Sequence, residues 1–149
     1  MRPRGAAATA LALLAAAAGI GACGESDEPA AQRTATTPAA EAIELTVLYD
    51  DGSGRKTTGT LTCRGAERHA AGALDGSASP AELCAQARGN ADLLTSKPDR
   101  TRACTQVYGG PQTAVVRGTI AGEKVNRRFT RTNGCELADF TRASRLLAP

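Results

Sequence analysis

Residues 43–63 read IELTVLYDDGSGRKTTGTLTC, and this stretch decides the fold. Ile43, Leu45, Val47 and Tyr49 alternate with Glu44, Thr46, Leu48 and Asp50, the period of a strand with one buried face. Asp51-Gly52 follows as a hairpin signal. The threonine-rich run Lys56 to Cys63 returns as a second strand. Further on, Thr113 to Ile120 and Lys124 to Arg131 read as another pair of strands around Ala121-Gly122, with Asn133-Gly134 breaking the last one. Residues 64–78 hold Gly65, Gly72 and Gly76 and read as loop.

Between the two strand pairs, Ser79-Pro80-Ala81-Glu82 has the form of a helix start. Ser79 is the N-cap, proline sits at the first helical position, and Glu82 completes a capping box. Leu83, Ala87, Ala91 and Leu94 then fall on one face at helical spacing, and Pro98 lies past the end. A short C-terminal helix over about Glu136 to Leu147 closes the domain. The expected class is α+β, an antiparallel sheet with one or two helices packed on it.

The chain is 42% hydrophobic but only 3% aromatic, so much of its apolar content is alanine and its core is expected to be thin. A thin core calls for covalent staples, and the five cysteines are an odd number. The first of them explains the oddness. Arg2 and Arg4 precede an uncharged run from Ala6 to Ile20, and then comes Ile20-Gly21-Ala22-Cys23. A basic start, a short apolar stretch and an aliphatic-small-small-Cys box form the pattern of a bacterial lipoprotein signal. Residues 1–22 are therefore expected to be a signal peptide. Cys23 is the expected lipidation site, holding an exported protein on the outer side of a membrane at roughly 0.8 kcal/mol per buried CH₂.

Residues 23–42 read as a disordered tether, acidic and rich in proline and threonine, with no apolar period. That leaves residues 43–149 as one folded domain with 15 basic and 11 acidic side chains. The net charge of +3 for the whole chain is small, and nucleic acid is not an expected partner. A single histidine, no G-x-S-x-G sequence, no paired metal ligands and no phosphate loop point away from an enzyme, and no cofactor or metal is expected.

Cys63, Cys84, Cys104 and Cys135 remain to pair in an exported domain. Three pairings are open on sequence alone. The favoured one joins Cys63 to Cys84, tying the second strand to the helix. It also joins Cys104 to Cys135, tying the segment before the third strand to the residue after the fourth. The intervening stretch Arg102-Ala103-Cys104-Thr105-Gln106-Val107-Tyr108-Gly109-Gly110-Pro111 has no core period. It reads as an exposed loop with a cysteine at one end and a turn at the other.

Residues 45–140 resemble the subtilisin inhibitor-like family of small secreted bacterial serine-protease inhibitors. The matching pieces run in order: Leu45-Thr46-Val47, Leu61-Thr62-Cys63, His69, Cys84, then Cys104 followed by Tyr108 and Pro111. After these come Val116 and Gly118, Gly122 and Val125, Phe129, and Asn133 before Cys135-Glu136. The resemblance implies a five-stranded antiparallel sheet with two helices, the same disulfide pairing, and a possible homodimer formed through the sheets. It further implies a reactive loop in which Cys104 is P3, Thr105 P2, Gln106 P1 and Val107 P1′, with Tyr108 beyond and Asn133 in support. The implied partner is a subtilisin- or trypsin-like serine protease.

The chain departs from the family pattern at Thr105, where proline is usual, and at Gln106, where methionine, lysine or arginine is common. Its Tyr108-Gly109-Gly110-Pro111 turn is one residue longer, and its lipid anchor is unusual. These departures support an alternative in which the fold persists as a non-inhibitory envelope lipoprotein that binds a protein or a polymer. Other residues have plainer expectations. Tyr108 is expected to pack as a brace, His69 to be solvated or structural, and Arg127, Arg128 and Arg131 to form a solvated strand face.

Overall fold

A computed structural model describes residues 41–147. The expected signal peptide, the expected lipidation site Cys23 and nearly all of the expected tether lie outside the described residues. The domain has the order β1 (Ile43–Asp50), β2 (Lys56–Arg64), β3 (Glu67–Gly72), α1 (Pro80–Gly89), α2 (Ala91–Thr95), β4 (Thr113–Ile120), β5 (Glu123–Phe129) and α3 (Gly134–Leu147). The five strands form one antiparallel sheet in the order β3-β2-β1-β4-β5. The class is α+β, as the strand pattern implied.

The alternation in β1 does what its period requires. Ile43, Leu45 and Val47 are buried toward the helices, while Glu44 and Leu48 face solvent. Leu61 and Cys63 of β2, Ala114 and Val116 of β4, and Val125 and Phe129 of β5 point to the same side. There they meet Leu83, Ala87, Leu93, Leu94, Ala143, Leu146 and Leu147 from the three helices. Phe129 is the largest fully buried side chain, so the core is aliphatic and shallow.

Two expectations need correction. Residues 67–72, expected to be loop, form the edge strand β3, pairing Leu61 with Ala70 and Thr62 with His69. Only Ala70 of this strand is buried, and Glu67, Arg68 and His69 are exposed, so it has no apolar alternation to read. Charged side chains on such an edge also discourage pairing with another chain. The single helix expected after Ser79 is two helices. Its start is as expected, with Ser79 and Glu82 forming a reciprocal capping box. At Asn90 the backbone turns out of helical geometry (φ −113°, ψ 15°), and the side-chain amide donates back to the Gln86 carbonyl at 2.9 Å. The second piece then aims Leu93 and Leu94 into the core.

Both expected disulfides are present. Cys63–Cys84 joins β2 to α1 across 21 residues, and Cys104–Cys135 joins the irregular segment before β4 to the first turn of α3 across 31. Cys63 and Cys84 are fully buried, so this bridge is also part of the core. Replacing both with alanine should lower unfolding free energy by about 3 kcal/mol, measured by urea denaturation with the other bridge intact.

Candidate functional site

The irregular stretch 96–112 crosses from α2 to β4 and carries the Cys104–Pro111 loop. Because β4 begins at Thr113, opposite Asp50 at the end of β1, the loop lies at the end of the sheet away from Ile43. Two backbone hydrogen bonds fasten it. The Gly134 N–H donates to the Thr105 carbonyl at 2.9 Å, and the Gly109 N–H donates to the Arg131 carbonyl at 2.7 Å. The Cys104–Cys135 bridge stands just outside the first of these bonds. Gln106, Val107 and Tyr108 are left as an exposed apex between the two fastenings.

Within the apex, Val107 is 50% exposed and Tyr108 65%. Tyr108 is therefore not the packed brace expected of it. Exposed apolar side chains side by side on a fastened loop are what a convex binding segment presents.

The two glycines after Tyr108 do not loosen the loop. A Cβ on Gly109 would come within 2.7 Å of Leu137 on α3, so the backbone packs where a side chain would not fit. Gly110 has φ +126°, a conformation that side-chain-bearing residues rarely adopt. Pro111 then rests against Gly52 in the β1–β2 turn, where even a Cβ would come within 2.4 Å of the ring. The Gly109-Gly110-Pro111 turn is thus fixed by close packing.

The supports lie on 130–137, the junction of β5 and α3. Asn133 caps α3 by accepting from the Glu136 N–H at 3.0 Å. Its side chain makes no hydrogen bond to the loop among the described residues, and the direct contact comes from Gly134 next to it. Gly134 also sits close enough that a Cβ would lie 2.1 Å from Thr105 Oγ1. Arg131, expected on a solvated face, is a support. Its carbonyl holds Gly109, its Nη1 donates to Gln112 Oε1 at 2.8 Å, and its guanidinium lies 5.4 Å from the centre of the Phe140 ring. Arg127 is buried, and Arg128 alone of the three is exposed.

Glu136 stiffens the same junction. Its carboxylate accepts from the hydroxyls of Thr130 and Thr132, on either side of Arg131. Those hydroxyls, Thr130 first, hold the Glu136 carboxyl below its ordinary value of 4.5. His69 stands exposed on β3, remote in sequence from this group. Among the described residues, no three His, Cys, Asp or Glu side chains converge to hold a metal ion.

No protein-family model matches the chain, and no curated protein sequence matches it either.

Two outcomes follow from this geometry. Gly134→Ala should push Thr105 away and break the bond to its carbonyl. Cleavage within residues 104–109 by a trace of broad-specificity protease should then speed up at least about tenfold, with little change in melting temperature. The second concerns acid. A carboxyl with a lowered folded-state pKa stabilises the fold above its unfolded value, and that contribution is lost as pH falls through the folded value. Glu136→Gln should therefore melt below the wild type at pH 7, and the gap should close as pH falls below the ordinary carboxyl value of 4.5, followed by circular dichroism.

Proposed function

We propose that the protein is an exported, lipid-anchored inhibitor of serine endopeptidases, and that it acts by presenting the Gln106–Val107 bond as a substrate would. The observation that carries this reading is the exposed apex Gln106-Val107-Tyr108 held between backbone bonds at Thr105 and Gly109 and a disulfide at Cys104. An inhibitor of this kind needs an extended, accessible segment that loses little entropy on binding, because it is already ordered.

In the complex, the Gln106 side chain enters the S1 pocket and its carbonyl meets the oxyanion hole. If the bond is cut, the two new ends stay in place. Thr105 is held by Gly134, and Cys104 by Cys135. On the other side, Gly109 is held by Arg131 and Pro111 is packed on the β1–β2 turn. Religation then competes with release. Gln106 is uncharged and of medium length, which favours a pocket without a fixed acid at its base.

The placement of the loop fits an anchored chain. The domain begins at Ile43, at the opposite end of β1, roughly 25 Å away for a strand of this length. The chain therefore enters the domain at the end of β1 away from the loop.

The test is titration of the disulfide-intact protein against a panel of subtilisin- and trypsin-like proteases. Stoichiometric inhibition at micromolar concentration or below is expected. Gln106→Arg should shift preference toward trypsin-like enzymes by at least about tenfold, since a matched charge in S1 is worth more than 1.4 kcal/mol. No inhibition of any member would leave the non-inhibitory binding module as the surviving reading.

A further inference from the structure

The loop has two limbs, and only one is held by close packing. The outbound limb is seated on Leu137 and on the Gly52 turn. The inbound limb, Ser96 to Ala103, has no helix or strand, and nearly all of it is exposed. Yet it must deliver Cys104 and Thr105 to a fixed position. What lies beneath it is an arginine on the core face of the sheet.

Arg127 of β5 pairs with Val116 in register and is 5% exposed. Its Nη2 donates to Asp139 Oδ2 of α3 at 2.9 Å, and its Nη1 donates to the Ser96 carbonyl at 3.3 Å. The guanidinium lies over the Phe129 ring, 5.6 Å from its centre. Asp139 turns its other oxygen to Arg102, 3.7 Å away and two residues before Cys104. One ion pair, its arginine buried and its aspartate half-buried, therefore reaches both ends of the inbound limb, Ser96 directly and Arg102 through Asp139. A cation on the inner face of a small apolar core is costly unless it is paired and hydrogen-bonded, and the partners available to Arg127 are Asp139 and the inbound limb itself.

We propose that Arg127 and Asp139 are positioning residues for the reactive loop, fixing its inbound limb so that Thr105 meets Gly134. Both act through Ser96 and Arg102 and touch no protease. This rests on the inhibitory reading for its consequence, although the positioning itself can be measured without a protease.

Gly134 and Gly109 provide the readout, because their N–H groups are the two fastenings of the loop. Amide exchange of both is followed by NMR on the full chain. Asp139→Asn removes the carboxylate. Arg127→Met with Asp139→Leu refills the space with apolar side chains, so the fold persists without the buried charge. In both variants the Gly134 amide should exchange at least about tenfold faster, with Gly109 and the β1 amides unchanged in the double variant. Wild-type exchange at Gly134 in a stably folded double variant would overturn the proposal. So would equal acceleration at Gly134, Gly109 and β1, which would mark the pair as a general stabiliser.

A protease that the wild type inhibits provides the functional arm. There the double variant should associate at the wild-type rate but be cleaved at Gln106–Val107 about tenfold faster. Inhibition with unchanged cleavage would also overturn the proposal. If no protease is inhibited, the inhibitory reading fails alone, and the exchange data still decide the positioning.

Discussion

The Cys104–Cys135 bridge closes a loop of chain that includes all of β4 and β5. It fixes where an otherwise irregular segment meets the start of α3. The bridge brings Gly134 up to Thr105, because its neighbour Cys135 is bonded to the neighbour of Thr105. The Asn133 cap sets the first turn of α3, and the Glu136 carboxylate holds the strand end that carries Arg131. Each of these contacts is modest, at about 1 kcal/mol for an ordinary hydrogen bond. Together with the bridge they set one loop geometry, because all of them act on the same short junction of β5 and α3.

The rest of the domain explains why covalent and polar bracing is used so heavily. The helices cover one face of the sheet with leucine and alanine, and only Phe129 among the aromatic residues is fully buried. Such a core stabilises by area, and alanine contributes little area. Rigidity at a distant loop cannot come from a core this shallow. It comes instead from glycines that let backbones touch, as at Gly109 against Leu137 and Gly134 against Thr105. It also comes from charges held by two or three partners.

Much of the fold was legible because its residues obey simple periods. The alternation in β1, the Ser79–Glu82 capping box and the spacing of Leu83 and Ala87 each point to one local structure. β3 was not legible from its own residues. It is an edge strand whose only buried residue is Ala70, and its existence depends on the register of β2. The break at Asn90 was hidden for a related reason. Leu93 and Leu94 continue a helical apolar pattern, and the turn that re-aims them costs one polar residue.

At the site, the exposed loop after Cys104 could be read from its lack of a core period, but its supports could not. Gly134, Gly109 and the Arg131 carbonyl act through the backbone, which leaves no mark of side-chain chemistry in a sequence. Arg127 and Arg131 look alike in the run of basic residues after Asn126, and both resemble a solvated face. Strand alternation carries the difference for Arg127, which shares its parity with Val125 and Phe129 and must point inward. An arginine at a core parity is unpaired until an acid is found, and Asp139 lies in a helix whose packing only the tertiary structure defines. Basic residues at inward positions of a strand are thus better read as questions about a partner than as surface charge.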